Sequence, residues 1–210
     1  YGPPPFGHGP PPPTKSTSTV VIVVIVVVCL VVVGGGVAAA LSIYGARRYL
    51  QTAKTAEAKA NVRAMARAAA VAYERVGHDA YLLEGETPFE HKLCGAATPV
   101  PESVPMGRKY QPGMVTGGDF ETGTATEGWR CLKFTVTTPI YYQYEYRVGG
   151  NYKGPSRGGP DPGPDGFEVS AEGDLDADGK TSLFTVTGKV DKASKTVKVD
   201  PDIFISDEFE

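Results

Sequence analysis

Histidine, cysteine and methionine each occur only three times in the 210 residues, and tryptophan once. Neither G-x-S-x-G nor C-x-x-C occurs, and His78 and His91 stand away from any nucleophile motif or metal-ligand spacing. His8 sits alone in a Pro-rich stretch, where a single imidazole has no partner ligands. The segment GDLDADGKT (173–181) imitates a phosphate loop, but G-x-x-x-x-G-K requires Gly where Asp174 stands, and three carboxylates would repel a phosphate. With no catalytic constellation left, neither an enzyme nor a small-molecule substrate is expected.

Charge is missing where it would otherwise mark an ordinary soluble helix. From Val20 to Leu41 the chain reads VVIVVIVVVCLVVVGGGVAAAL, with no charge, amide or hydroxyl. These residues make roughly 33 Å of helix, matching a hydrocarbon core of about 30 Å. Val and Ile are indifferent helix formers in water, but in lipid a helix is the one single-segment way to satisfy every backbone group. Insertion contributes about −0.3 to −0.6 kcal/mol per central Val or Ile, so the run favours lipid by several kcal/mol. It is too long for the apolar region of a secretory signal and continues into more helix. Gly34, Gly35 and Gly36 interrupt it at roughly 1 kcal/mol each relative to Ala, which suits either close backbone contact with another helix or a point where the helix can extend.

What surrounds the run divides the chain into segments. Residues 1–19 are Pro-rich and then Ser/Thr-rich and read as an extended or disordered arm. Residues 20–46 form the apolar transmembrane or fibre-core helix, and residues 47–76 an amphipathic helical stalk ending at Gly77. Along the stalk Val62, Met65, Ala66, Ala69, Tyr73 and Val76 recur at three- and four-residue spacing, giving one apolar stripe that something must cover. A helix continuous from Val20 to Val76 would be roughly 85 Å long. Residues 77–210 form a globular β-rich head. CLKFTVTT (131–138), IYYQYEYRV (140–148), LFTVTGKV (183–190) and KTVKV (195–199) read as strands between Gly/Pro loops, the densest spanning 149–166. Hairpins and an antiparallel sheet packed on the stalk stripe follow.

The charges divide in the same way. Residues 47–76 carry seven Lys/Arg against two Glu, whereas residues 77–210 carry 13 Lys/Arg against 22 acids. Nucleic acid is not an expected partner, since the acidic head would repel phosphates. Lys59, Arg63 and Arg67 stand four apart; a solvated face is one reading, and contact with the tail acids Asp207, Glu208 and Glu210 of a neighbouring copy is another. Arg47 and Arg48 outnumber Lys15 across the run, so positive charge alone favours an inward-facing head.

Three cysteines divide between two settings. Cys29, in the apolar run, reads as a small buried hydrophobe. Cys94 and Cys131 lie in the head; a bridge would close about 38 residues, contribute roughly 4 kcal/mol in the chain-entropy picture, and suit an exported domain. Asp174, Asp176 and Asp178 before Gly179 copy the front of a Ca²⁺ loop, but Thr185 stands where an EF-hand places its Glu. An acidic turn is the first reading and a weak Ca²⁺ site the second. In the aromatic segment, Ile140, Tyr142, Tyr144 and Tyr146 share one strand face and Tyr141, Gln143 and Glu145 the other.

AKTAEAKANVRAMARAAAVAYER (53–75), GWRCLKF (128–134), PIYYQYEY (139–146) and FEVSAEGDLDADGKTSLFTVTG (167–188), in this order and spacing, resemble the type IV pilins and pseudopilins, in particular pilin-like proteins of myxobacterial type. The resemblance covers roughly Tyr44 to Glu210. It implies an α+β, lollipop-like fold, with a long N-terminal helix packed on an antiparallel β-sheet head. It also implies a structural subunit held in the inner membrane before joining copies of itself in a helical surface filament. Assembly would run through Val20, Val24, Val28, Val31, Gly34, Gly35, Gly36 and Leu41. The family's apolar run carries a Glu near its start, and this run carries no acid. A pilin-like head on a membrane anchor that does not polymerise, or a secretion-system pseudopilin, is the alternative expectation.

Overall fold

β-Branched and aromatic residues that alternate with polar ones build six antiparallel strands, and the Ala-rich face of one long helix covers them. The computed structural model describes residues 1, 2, 7, 9, 17–84 and 91–210, with only the backbone at 17, 18, 47 and 76–84. Most of the arm at 1–19, including His8, and the side chains of Val76 and His78 therefore lie outside the described residues. Helix α1 spans Thr17–Glu84. It does not stop at Gly77, since a glycine ends a helix only by turning left-handed, and here the helical backbone continues for two more turns. The chain divides into two units, Tyr1–Arg48 and Tyr49–Glu210.

In the first unit the apolar side chains of α1 face outward on every side, from Val20 at 65 % to Leu41 at 66 % exposure. The second unit holds the core. Strands β1 (Ala97–Val100), β2 (Gln143–Val148), β3 (Gly166–Gly173), β4 (Ser182–Asp191), β5 (Thr196–Val199) and β6 (Phe204–Ser206) form one sheet in the order β1-β2-β3-β4-β5. β6 also pairs with β4, at Leu183–Thr185, while β5 takes Gly188–Asp191.

The register of β2, β3 and β4 sorts side chains into two grids. Toward α1 lie Tyr144/Ala171/Phe184, Tyr146/Val169/Val186 and Val148/Phe167/Gly188. Gly188 is required there, because a Cβ would stand 2.3 Å from the Phe167 ring. Ala58, Val62, Met65, Ala66, Ala69 and Ala72 of α1 are buried in the same cluster, and Tyr73 is buried further along the stripe. Their three- and four-residue spacing keeps one stripe on the sheet, and the alanines let the helix approach closely. Polar bonds fix the contact: the Tyr144 hydroxyl donates to Glu57 Oε1 at 3.1 Å, and Asn61 Nδ2 donates to that hydroxyl at 2.8 Å. The Lys54 and Lys109 ammonium groups lie 4.6 and 4.9 Å from the Tyr141 ring centroid, within cation–π range.

The segment CLKFTVTT is not a strand. Its first residues belong to α2 (Gly128–Leu132), which ends where Lys133 turns left-handed at φ 54°. Residues 134–137 then run without ladder partners. The alternation that suggested a strand serves a different end, since Trp129, Cys131 and Leu132 are all drawn into the core from one short helix.

Candidate functional site

From Val20 to Leu41 the side chains give α1 an uncharged apolar surface. Val24, Val28 and Val31 are 55, 54 and 67 % exposed, and a Cβ at Gly34, Gly35 or Gly36 would meet nothing within 4 Å. Among the described residues, α1 is the one helix long and apolar enough to cross a membrane. Cys29 lies on this surface as an exposed free thiol and not as a buried hydrophobe.

Of the basic residues on α1, Lys59 meets an acid of its own chain. Its Nζ lies 2.6 Å from Glu208 Oε1, both side chains about one-third exposed, and Gln51 Nε2 donates to the Phe209 carbonyl at 3.2 Å. Arg63 and Arg67 are exposed and, among the described residues, have no ion-pair partner. Asp207 accepts instead from the Ser206 hydroxyl at 2.7 Å. The tail acids Asp207 and Glu210 are thus not brought to Arg63 or Arg67 within one chain.

Cys94 and Cys131 are bonded, with their Cα atoms 5.9 Å apart and both side chains buried. The bridge ties α2 to the approach of β1 beside an aromatic cluster in which the Phe120 and Trp129 centroids lie 4.9 Å apart. Trp129 Nε1 donates to the Thr98 carbonyl at 2.8 Å, and the Arg75 guanidinium donates to the Cys131 carbonyl. A cavity of about 850 Å³ adjoins the bridge, lined in part by Tyr73, His91, Glu127 and Lys192. His91 stacks on Tyr73 at 5.4 Å and its Nδ1 lies 3.2 Å from the Glu74 carbonyl oxygen, so the imidazole is engaged in packing.

The turn between β3 and β4 brings Asp174, Asp176 and Asp178 together, with one oxygen of each within 4.8 Å of the others. Asp174 is buried and accepts from the backbone N–H of Ala177 at 2.6 Å and of Gly179 at 3.0 Å. Asp178 pairs with Lys180 at 3.1 Å. These bonds are what an acidic turn requires, with Ala177 and Gly179 left-handed at φ 65° and 90°.

The second grid of the sheet is mostly polar and nevertheless buried or half-buried. Gln143/Glu172/Leu183, Glu145/Ser170/Thr185 and Arg147/Glu168/Thr187 face away from α1. The loop 149–166 lies against them. Lys153 Nζ stands 3.0 Å from Glu145 Oε2, 2.8 Å from Glu172 Oε2 and 3.1 Å from Gln143 Oε1. Arg157 Nη2 lies 3.1 Å from Glu172 Oε1, and Arg147 Nε 2.8 Å from Glu145 Oε1. Glu168 accepts from the backbone N–H of Lys153 at 2.7 Å and of Gly154 at 2.8 Å. Burial pushes the Glu168 carboxyl above its ordinary value, although these two amides and the nearby Arg147 and Lys153 oppose it. Glu172 moves the other way: burial works to raise it, but the bond and charge of Lys153, with Thr181 and Arg157, hold it below the ordinary value. The alternation Q-x-E-x-R in 143–147 and E-x-S-x-E in 168–172 carries this layer in the sequence, but only the folded loop supplies its cations.

Comparison with protein-family models, with curated proteins and with solved structures yields no match.

Proposed function

We propose that the chain is a structural subunit of a type IV pilus-like filament at the cell surface, held in the inner membrane before assembly and joined to its copies through the apolar N-terminal helix. One observation carries this reading. Between Val20 and Leu41 an uncharged helix exposes half or more of nearly every large apolar side chain. Water is a poor solvent for such a surface, at roughly 25 cal/mol per Å². Lipid covers it before assembly, and copies of the same helix cover it afterwards. Gly34 to Gly36, with open space where each Cβ would stand, offer backbone to an adjacent helix.

The charges left over in one chain support the same reading. Arg63 and Arg67 are exposed without an ion-pair partner among the described residues, and the head is acidic. Contact of these arginines with Asp207 and Glu210 of the next copy would set the register of a fibre, electrostatics giving specificity more than affinity.

A second reading rests on two features: the apolar run has no acid, and Glu208 is already engaged by Lys59 of its own chain. Both fit an anchored subunit that stays single, or a pseudopilin present in few copies. Electron microscopy of sheared surface material distinguishes the readings. A filament subunit yields long filaments of uniform width containing this chain, whereas a chain recovered only from detergent extracts, without polymer, is an anchor.

A further inference from the structure

We propose that the loop 149–166, anchored to the ladder at Gly149 and at Asp165–Gly166 by backbone bonds, forms between these anchors an ionic strap that opens and closes over the polar face of the sheet while the rest of the head stays folded. The strap reads GGNYKGPSRGGPDPGPDG, with seven glycines, four prolines and no Val, Ile, Leu, Met or Phe; Tyr152 is its one large apolar side chain. That ring is turned to closing the strap on itself, its hydroxyl 2.8 Å from both the Gly163 and the Gly166 carbonyl oxygens. Apolar packing of the strap is confined to the buried Pro162 and the approach of Gly159 to the Phe204 ring, so hydrophobic burial contributes less here than on the face that α1 covers.

Charge takes its place. Lys153 and Arg157 reach down from the strap to Glu145 and Glu172, and two strap amides reach Glu168. With Arg147, whose guanidinium donates to the Asn151 carbonyl, the layer holds three bases and three acids. Attraction in such a layer is offset by the loss of hydration of every member, so the net gain from closing is small compared with the ladder and core beneath. Two details reduce it further. The Glu168 carboxylate is held where burial disfavours its charge, and the buried Thr185 hydroxyl finds no partner in the closed layer. Gly154 allows the approach at all, since a Cβ there would stand 2.8 Å from Glu168 Oε2 and 3.2 Å from Thr185 Oγ1. Opening rehydrates all these groups and leaves the core grid untouched. It presents Gln143, Glu145, Glu168 and Glu172 to solvent and leaves Lys153 and Arg157 on a free loop.

Native-state hydrogen exchange on the full chain in detergent tests the strap, comparing the amides of Lys153, Gly154, Arg157 and Gly159 with the ladder amides of β3 and β4. Expected is partial protection of the strap, with exchange about 100-fold or more faster than the ladder and insensitive to low denaturant, as a local opening requires. Lys153→Met, and separately Arg157→Gln, should each raise strap exchange about tenfold while ladder rates stay within about twofold. Strap amides that exchange at the ladder rate and respond to denaturant with it would show the strap to be part of the global fold. Strap amides with no protection would show that it does not close. Either result overturns the proposal, and the wild-type measurement decides even if a variant fails to fold.

Discussion

Lys59 Nζ and Glu208 Oε1, 149 positions apart in the sequence, stand 2.6 Å from one another and bind the C-terminal tail to α1. With both side chains about one-third exposed, the pair is worth about 0.5–1 kcal/mol. A double-mutant cycle of Lys59→Met and Glu208→Gln, followed by thermal melting, should return a coupling of that size. A coupling of zero would mean that the ion pair adds nothing to the hold that the β6–β4 ladder and the Gln51 contact already give the tail.

Reduction of Cys94–Cys131 should destabilise the head by about 4 kcal/mol, because the closed loop no longer restricts the unfolded chain. Urea unfolding monitored at Trp129, with and without reductant, measures this. The same shift is expected for Cys94→Ala paired with Cys131→Ala.

Met65→Ala should cost about 2–5 kcal/mol, since Met65 is fully buried between α1 and the sheet and leaves a cavity there. Val71→Ala, on the exposed side of the same helix, should change stability by less than about 0.5 kcal/mol. Equal effects at the two positions would contradict the assignment of the buried stripe.

Glu172 has a folded-state pKa below its ordinary value of 4.5, so its contribution is present above that value and lost as the pH falls through the lower folded one. Glu168 has the opposite sign, its raised pKa favouring the folded state on the acid side. Glu172→Gln should therefore be less stable than wild type at pH 7, with the gap closing as pH drops below about 4. The same closing is expected in a Glu168→Gln background, because this pH dependence belongs to Glu172 itself. Melting temperatures from pH 7 to 3 report both.

Arg63→Glu with Arg67→Glu should leave the melting temperature of the head nearly unchanged, because both side chains are exposed and neither has an intramolecular ion-pair partner among the described residues. Filament yield from sheared surface material should fall at least tenfold. Undiminished filaments would remove these arginines from the subunit contact.

Much of the second unit could be read from local pattern. The Val62 to Tyr73 stripe and strands β4 and β5 follow from helical spacing and from alternation bounded by turns. CLKFTVTT carried the same alternation but lacks a strand to pair with, and that depends on the whole topology. β1 and β6, with four and three residues, are too short for a period to register. β3 was not among the expected strands, although FEVSAEG alternates apolar residues with Glu168, Ser170 and Glu172; in the structure that polar face is covered by the strap. Lys59 and Glu208 were legible as opposite charges seeking each other, though not as partners in one chain. What escaped reading in each case is a contact made across long sequence distance, where composition names the groups but not their neighbours.

The grid of Gln143, Glu145, Arg147, Glu168 and Glu172 beneath Lys153 and Arg157 is neutral as a set and not residue by residue. One changed sign leaves a widowed charge with nowhere to drain, while two matched changes restore the balance. Sibling sequences should therefore vary there in couples, an acid lost on β2 or β3 together with a base lost from the loop, while the hydrocarbon side of the same strands drifts one residue at a time.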